Sequence, residues 1–576
     1  MLPPLITEIA IVVLAAFLGG LTAHRFKIPL VVGYLVVGLV FGSVYSEKIQ
    51  SREFINFFSE IGIALLLFTL GLEFSLDRLK VVGRPAITAG VVQILFTAIL
   101  GLLFIPAILN IDYKEALFLG FAVSLSSTAV VVKILYDRGE IDTPYGELQV
   151  GWLIAQDLAV LPLMVFLPLL SDRGVGETDG IWGIIVPVFK SGLLLYLTLV
   201  LGRKIIPILF KKLALFNNRE LLLLASFAFA IIFSALTNEL GMSFALGAFL
   251  AGLILSTASV NHEVFAEVRP IRDLFASIFF VSIGFLVSIS FLIKNIIPIL
   301  LLTLFVIFFK FAIVFFVSLF LKYHTKTAFL TGVGLFQIGE FSFILASMGR
   351  SEGILEDRLV SILTASAILT LIISPFASLR APLFYKKIFT FLKIKYPKFY
   401  NKFFKSKDMR VSFPTSEELK GHVLVIGFGR VGRQICHILD IANTSYVVID
   451  QNLKSLDYLK RQGKPYVYGD AIEGEILELA GIKNAKAVVV AIGDVTDSEL
   501  ILNHSLRLNP KAKFVARAHK DIDAARLKIR GVASVIQPEF EASISLARAA
   551  LYAHDALDIK DIESYLARAR KEYRYF

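Results

Sequence analysis

Over about the first two thirds of the chain, long apolar runs alternate with short polar turns, and inside the runs apolar residues occupy every face of a helix rather than one stripe. Runs of about 20 such residues cross the hydrocarbon of a bilayer as helices, because a helix satisfies its own backbone where no water is available. About thirteen can be marked out. They fall near 4–23, 28–46, 54–74, 84–109, 115–135, 147–170, 181–210, 219–238, 241–258, 273–293, 295–321, 326–349 and 357–379. An odd number puts the two ends of the chain on opposite sides of the membrane. The turns after odd-numbered runs, with Arg25, Lys27, Arg78, Arg84, Arg203, Lys211, Lys212, Arg219, Arg269, Arg272 and Lys326, hold roughly fifteen Lys and Arg against roughly seven in the others. Short loops rich in these residues stay in the cytoplasm, so the predicted N-terminus is outside and the C-terminal domain cytosolic.

Two pairs of runs resemble each other seven runs apart. The fifth, ALFLGFAVSLSSTAVVVKIL from Ala116, matches the twelfth, AFLTGVGLFQIGEFSFILAS from Ala328. The third and tenth match through LFTLGLEFSL from Leu67 and FVSIGFLVSI from Phe280, aligned on Gly71 and Gly284. An odd offset turns one copy upside down relative to the other, which is an inverted repeat. In the fifth run Ser124, Ser126, Ser127 and Thr128 fall mid-membrane, and in the twelfth Gly332, Gly334, Gln337, Gly339 and Glu340. Such residues suit helices that unwind at the midplane and leave backbone groups for an ion, although small residues also serve plain helix packing. The predicted fold is an all-α inverted-repeat bundle of about 13 membrane helices, two of them discontinuous, followed by a cytosolic α/β Rossmann domain.

Charge inside the apolar runs is sparse. Asp157 sits in GWLIAQDLAVLPLMVFLPLL beside Gln156, and a carboxylate at that depth costs at least ~2.5 kcal/mol, so it faces a bundle interior or a wet cavity and binds something. A desolvated Asp is a group for which a proton and a monovalent metal cation compete. Competition of that kind is what exchange requires. Lys310, in LFVIFFKFAIVFF, lies too deep to reach either surface easily, and pairing with Asp157 or Glu340 is the expected use. Glu73 and Asp77 fit an interfacial place equally well.

Beyond Leu379 the pattern changes. From Arg380 to Arg410, Lys alternates with Phe and Tyr, as in a helix or linker on an anionic inner leaflet. Then HVLVIGFGRVGRQICHIL reads as a strand, a glycine turn at Gly427, Gly429 and Gly432, and a helix; the next strand, SYVVID, ends in Asp450 about 20 residues on. The glycines let a diphosphate approach the helix N-terminus beside Arg430, and Asp450 takes ribose hydroxyls. Further strands, PYVYGDA, AKAVVVAIG and KFVARA, put Asp470 and Arg517 at strand ends, where such sheets bind ligands. With no substrate domain attached, the nucleotide, NAD(H) or AMP or another adenine nucleotide, is expected to regulate rather than react. The predicted division is 1–380 transmembrane domain, 381–416 basic juxtamembrane linker, 417–540 nucleotide-binding domain and 541–576 helical tail.

Composition agrees. The 576 residues are 56% hydrophobic with 50 Phe, and the mean hydropathy of +0.74 is far above that of a soluble protein. The net charge of +11 concentrates in short loops and the linker, which indicates lipid surface rather than nucleic acid. One cysteine, Cys436, excludes an intrachain disulfide and reads as packing. The first apolar run lacks the basic start and small-residue cleavage pattern of a signal peptide and is read as the first span.

The segments GLEFSLDRL, SLSSTAVVVKIL, AQDLAVLP, FFVSIGF and QIGEFSFIL, with the nucleotide domain, make the chain resemble the Kef-type potassium efflux systems of the second monovalent cation:proton antiporter branch. The resemblance implies an inner-membrane homodimer whose core domain slides against a dimer domain to exchange potassium or sodium for protons, with a possible ancillary oxidoreductase and no enzymatic activity of its own. It marks Gln156 and Asp157 as the ion and proton site, to which the interrupted runs add Ser127, Thr128 and Glu340, and it pairs Lys310 with the carboxylate. It implies glutathione as a second gating ligand, although no pocket for it can be matched residue by residue, and likens NHEVFAEVRPIRDLF from Asn261 to an acidic regulatory loop. The rival readings are a ligand-gated potassium channel, a nucleotide-dependent membrane oxidoreductase and a sensor that does not transport. The absence of a TVGYG-like filter, of a hydride-acceptor site and, for the sensor, the inverted repeat weigh against each in turn.

Overall fold

The computed structural model describes residues 4–45, 52–73, 84–170, 206–239, 243–398, 411–412, 421–518, 521–553 and 558–573, less a few single positions. The chain forms two compact units. One comprises residues 1–134, 148–321 and 328–387; the other comprises 135–147, 322–327 and 388–576.

The first unit is helical, and four of its described helices, beginning at Thr128, Pro144, Thr325 and Asp357, have one end grouped with the second. Its described elements are α1 (Pro4–Phe26), α2 (Leu30–Tyr45), α3 (Arg52–Glu73), α4 (Arg84–Leu109), α5 (Tyr113–Ser124), α6 (Thr128–Arg138), α7 (Pro144–Phe166), α8 (Arg219–Glu239), α9 (Phe244–Leu255) and α10 (Asn261–Phe285). After these come α11 (Ile289–Lys294), α12 (Ile296–Phe305), a π-helical turn at Val306–Lys310, α13 (Phe311–Phe320), α14 (Thr325–Leu335), α15 (Phe341–Ser351) and α16 (Asp357–Lys395). Every expected span is helical except the seventh, most of which lies outside the described residues, as does Asp77. The fifth and twelfth break where expected, between α5 and α6 and between α14 and α15.

Three boundaries differ from the sequence reading. The stretch from Asn261, expected as a loop, is the start of α10, because Val264 and Val268 continue its buried face one turn apart. The same helix stops at Phe285, short of the expected 293, where Ser288 caps α11 by accepting from Phe291 N at 3.1 Å. The last span runs on to Lys395 through Pro375 and Pro382, so the first half of the basic stretch is one helix with it.

Glycines set the helix contacts of the repeat. A Cβ on Gly71 of α3 would fall 2.3 Å from Phe249 O of α9, and one on Gly252 of α9 would fall 2.0 Å from Phe68 O. The same contact recurs between α10 and α2, where a Cβ on Gly284 would lie 2.4 Å from Leu35 O and one on Gly38 would lie 2.3 Å from Val281 O. Backbones touch at both places, as small residues permit in a membrane bundle.

The second unit is built on a seven-stranded sheet in the order β1-β4-β3-β2-β5-β6-β7. The strands are β1 (Val411–Ser412), β2 (Val423–Ile426), β3 (Tyr446–Asp450), β4 (Tyr466–Tyr468), β5 (Ala487–Val490), β6 (Lys513–Arg517) and β7 (Ser534–Ile536). Only β1 is antiparallel to its neighbour. The helices are α17 (Arg430–Ile441), α18 (Leu453–Arg461), α19 (Gly474–Leu479), α20 (Val495–Leu508), α21 (Asp521–Ile529), α22 (Pro538–Ala553) and α23 (Ile559–Tyr573). Strand residues are buried on both faces, Leu424, Val447 and Val488 on one and Val425 and Val448 on the other, which a sheet covered by helices on each side requires. Cys436 belongs to the second layer, and burial pushes its thiol up to about 12, so it packs and does not react at neutral pH.

Candidate functional site

The two interrupted helices meet at their breaks. Leu125 O accepts from Gly339 N at 3.0 Å, Ser126 Oγ donates to Leu335 O at 2.7 Å, and Ser342 Oγ donates to Ala122 O at 2.5 Å. A Cβ on Gly339 would fall 2.6 Å from Ser126 O, so Gly is needed for the approach. Unwinding frees carbonyls that a continuous helix would consume. Lys310 takes up two of them: its Nζ donates to Leu125 O and Gln337 O, both at 2.8 Å, and the side chain is fully buried. This corrects the expected pairing with Asp157 or Glu340. The ammonium sits at the π-helical turn of its own span, between the two breaks, and their carbonyls satisfy it.

Asp157 lies on α7, facing the start of α6. Thr128 Oγ1 stands 3.1 and 3.0 Å from its two carboxylate oxygens. The charged groups acting on it are the carboxylates of Glu340 and Glu73. Glu340 is in turn hydrogen-bonded by the Ser127 side chain and by the backbone of Ala129. Gln156 faces the other way. Its Oε1 accepts from Ser126 N at 2.9 Å, and its Nε2 donates to Gln93 Oε1 at 2.5 Å and to Ser124 O at 3.3 Å.

The structure thus gathers Gln156, Asp157, Ser127, Thr128 and Glu340, with Lys310 bound to the adjacent crossing. It adds two residues the sequence reading passed over, Gln93 and Thr370, and gives Gln337 a further part. Gln93 of α4 donates to Ser124 O at 2.9 Å and Thr97 Oγ1 at 3.0 Å, and a lone amide in an apolar run was the available signal. Thr370 Oγ1 accepts from Ile338 N at 3.1 Å. Gln337 was noted only as a helix interruption; its side chain is fully buried, with neither amide atom hydrogen-bonded to the described residues. An amide left so costs about 1–3 kcal/mol, which a water or cation beside it offsets.

In the second unit the glycine turn follows β2, next to β5 where the strand order reverses. Gly427 has φ +95°, and a Cβ on Gly432 would fall 1.9 Å from Gly427 O. Gly429 caps α17 without a side-chain bond, and a Cβ there would meet nothing within 4 Å. First-turn N–H groups therefore face open space, as a diphosphate needs. Asp450 accepts from Phe428 N and Asn452 N at the end of β3, and burial pushes its carboxyl up to about 6.

Gly427, Gly429, Arg430, Asp450, Asp470 and Arg517 all line one cavity of about 600 Å³, a volume in the range of small-ligand sites. Gly432 sits behind the turn rather than on the wall. Sequence reading missed Arg433, whose guanidinium lies 5.6 Å from the Phe428 ring centre and 5.7 Å from that of Tyr458. It also missed Tyr145, Glu147 and Lys326, which line the same cavity from the turns 135–147 and 322–327 of this unit.

Crossed broken helices around a membrane carboxylate, in a chain that also holds a nucleotide fold, define an ion-coupled secondary transporter with a nucleotide-binding domain. The chain belongs to the sodium/hydrogen exchanger family: the family model described as "Sodium/hydrogen exchanger, transmembrane" matches residues 12–379, and that of the TrkA-N domain matches residues 423–538. It is therefore a multi-pass membrane cation:proton antiporter, not an enzyme, and the channel reading falls away. It is 30% identical over 549 residues to YbaL of Escherichia coli (strain K12), named as a cation/proton antiporter, across 93% of this chain and 96% of the relative. It is 27% identical over 532 residues to KefB of Alkalimonas amylolytica, named as a K⁺ efflux antiporter, across 91% of this chain and 78% of the relative. The solved sodium proton antiporter MjNhaP1 of Methanocaldococcus jannaschii shares the fold at TM-score 0.50 and 18% identity, over 66% of this chain and 97% of that one.

Proposed function

We propose that this chain exchanges a monovalent cation, potassium before sodium, for a proton by alternating access at Asp157, and that a nucleotide on its C-terminal domain regulates the exchange. The observation that carries the reading is the Asp157 carboxylate, held by one hydroxyl and facing other carboxylates where two broken helices cross. A carboxylate on which no cationic side chain acts among the described residues favours either a proton or a metal cation, so loading one expels the other. Thr128 and Glu340 supply oxygens beside it, Ser127 holds Glu340, Gln156 braces the adjacent break through Ser126 N and Ser124 O, and Lys310 fixes the carbonyls of the crossing. With one carboxylate directly exchanged, the cycle moves one cation per proton and no net charge.

The nucleotide is NAD(H), AMP or a related adenine nucleotide, with its diphosphate or phosphate at Gly427 to Gly432 and its ribose on Asp450. The protein works as a homodimer in the inner membrane, N-terminus outside and C-terminal domain in the cytosol, with an ancillary oxidoreductase as a further partner. The exchanger comprises residues 1–380 and the nucleotide domain 417–540.

Asp157→Asn tests the core of this. The amide keeps the size of the side chain but cannot release a proton, so cation-driven proton movement in proteoliposomes is expected to fall to the level of empty vesicles with the folded protein yield unchanged. Exchange at the wild-type rate by the folded variant would refute it.

A further inference from the structure

Within the C-terminal unit the nucleotide cavity has walls of two kinds. One comes from the sheet and its helices, the other from the turn before α7 together with the first turn of α7, and from the first turn of α14, which contribute Gly139, Thr143, Pro144, Tyr145, Glu147, Lys326 and Thr327. These turns open the two helices that build the ion site. In the first, Thr143 Oγ1 donates to Glu140 O at 2.6 Å and accepts from Gly146 N at 3.1 Å, with Pro144 as the first residue of α7, which carries Gln156 and Asp157. The second starts α14, whose last residue, Leu335, gives its carbonyl to Ser126 at the helix crossing.

Lys326 Nζ is bound by both carboxylate oxygens of Asp497. The two side chains are 9% and 18% exposed. Asp497 stands in the first turn of α20, where Asp494 Oδ1 caps the helix by accepting from Thr496 N at 2.8 Å and Asp497 N at 3.1 Å. Gly493, Asp494 and Asp497 all line the cavity. Asp470 and Asp494 also act on the ammonium, so one lysine faces three carboxylates on the nucleotide-facing wall.

We propose that the Lys326–Asp497 ion pair is the contact through which a nucleotide in the cavity governs transport, the start of α20 and the start of α14 moving as one piece. The inference rests on the nucleotide reading above. A pair so little exposed is weakly screened by salt, and separating it strands a buried charge, so displacement of one partner carries the other. A ligand shifts a conformational equilibrium only by binding its states unequally. Here both walls touch the ligand's space, so a change in their spacing changes its contacts. A helix transmits displacement along its length, and α14 leads from Lys326 to the crossing at Leu335.

The test uses the full-length chain in proteoliposomes, with NAD⁺ and AMP as probes. Cation-driven proton flux is measured with and without each probe for wild type, Lys326→Ala and Asp497→Asn, and binding is measured by calorimetry on the same preparations. The wild-type flux ratio should differ from one, and in both variants it should fall to one. A merely structural tie would lower thermal stability yet leave the ratio at its wild-type value, which would overturn the proposal. Should Lys326→Ala fail to fold, the near-isosteric Asp497→Asn carries the same comparison. A wild type that binds neither probe would remove the regulatory reading and this proposal together, whereas a responsive wild type with equally responsive variants removes the proposal alone.

Discussion

At the scale of residues, the same chemistry takes opposite parts according to what lies beside it. Lys310, buried, and Asp157, half-buried, are both ionisable groups of the membrane unit, yet the lysine binds two carbonyls and the aspartate meets a hydroxyl and other acids. The depth of both was legible in the sequence, and so was the grouping of Thr128 and Glu340 with Asp157; that Lys310 bonds to the carbonyl of Leu125, 185 residues away, was not, because folding chooses such a partner. Asp450 shows a third case. Burial raises its carboxyl to about 6, above the ordinary 3.8, while Phe428 N and Asn452 N favour its ionised form. An acid whose folded value is raised takes up a proton on folding, so the ligand-free domain loses stability as pH rises from about 3.8 to about 6 and none further above that. Ribose hydroxyls require the carboxylate as acceptor. NAD⁺ affinity is therefore expected to weaken about tenfold between pH 7 and pH 5. In Asp450→Asn it should be weak and flat over that range, a pattern that calorimetry of the two proteins at both pH values would check.

At the scale of elements, two kinds of glycine do different work. Gly339 allows one broken helix to cross the other, and Gly71, Gly252, Gly38 and Gly284 allow whole helices to touch backbone to backbone in two equivalent pairs. The alignment of Gly71 with Gly284 was visible as a repeat. That each pairs with the other member's counterpart, α3 on α9 and α10 on α2, came only with the structure. A Cβ at Gly252 would stand 2.0 Å from Phe68 O, so even Gly252→Ala forces α3 and α9 apart. Overpacking of this kind costs about 1–3 kcal/mol where side chains can yield, and here the obstacle is backbone. Gly252→Val is expected to lower the thermal midpoint of the detergent-solubilised protein by several degrees and Gly252→Ala by less. Equal midpoints for all three proteins would show that the contact is not under pressure.

At the scale of the whole molecule, the division of labour predicts a division of phenotypes. A chain ended at Arg410 lacks the glycine turn, Asp450 and Asp497, and keeps Asp157 with its surrounding oxygens. Cation-driven proton flux that depends on Asp157 is expected to persist in it, and the effect of added NAD⁺ or AMP to vanish. Flux assays of both lengths across nucleotide concentrations would decide this; matching nucleotide responses would place regulation elsewhere.

By itself the sequence determined that most of the chain is membrane helix, where two helices break, which carboxylate is too deep to be idle, and that a Rossmann sheet follows. Each is a local matter of hydrophobic length, of small and polar residues in an apolar run, or of glycine spacing after a strand. Only the tertiary structure decided that Lys310 bonds to carbonyls, that Gln93 and Thr370 join the crossing, and that α10 begins at Asn261. It alone brought Lys326 to Asp497 across 171 residues. Those contacts join segments far apart in the chain, and no periodicity records them, because a hydrogen bond or ion pair requires its partner in place and not any pattern of neighbours along the sequence.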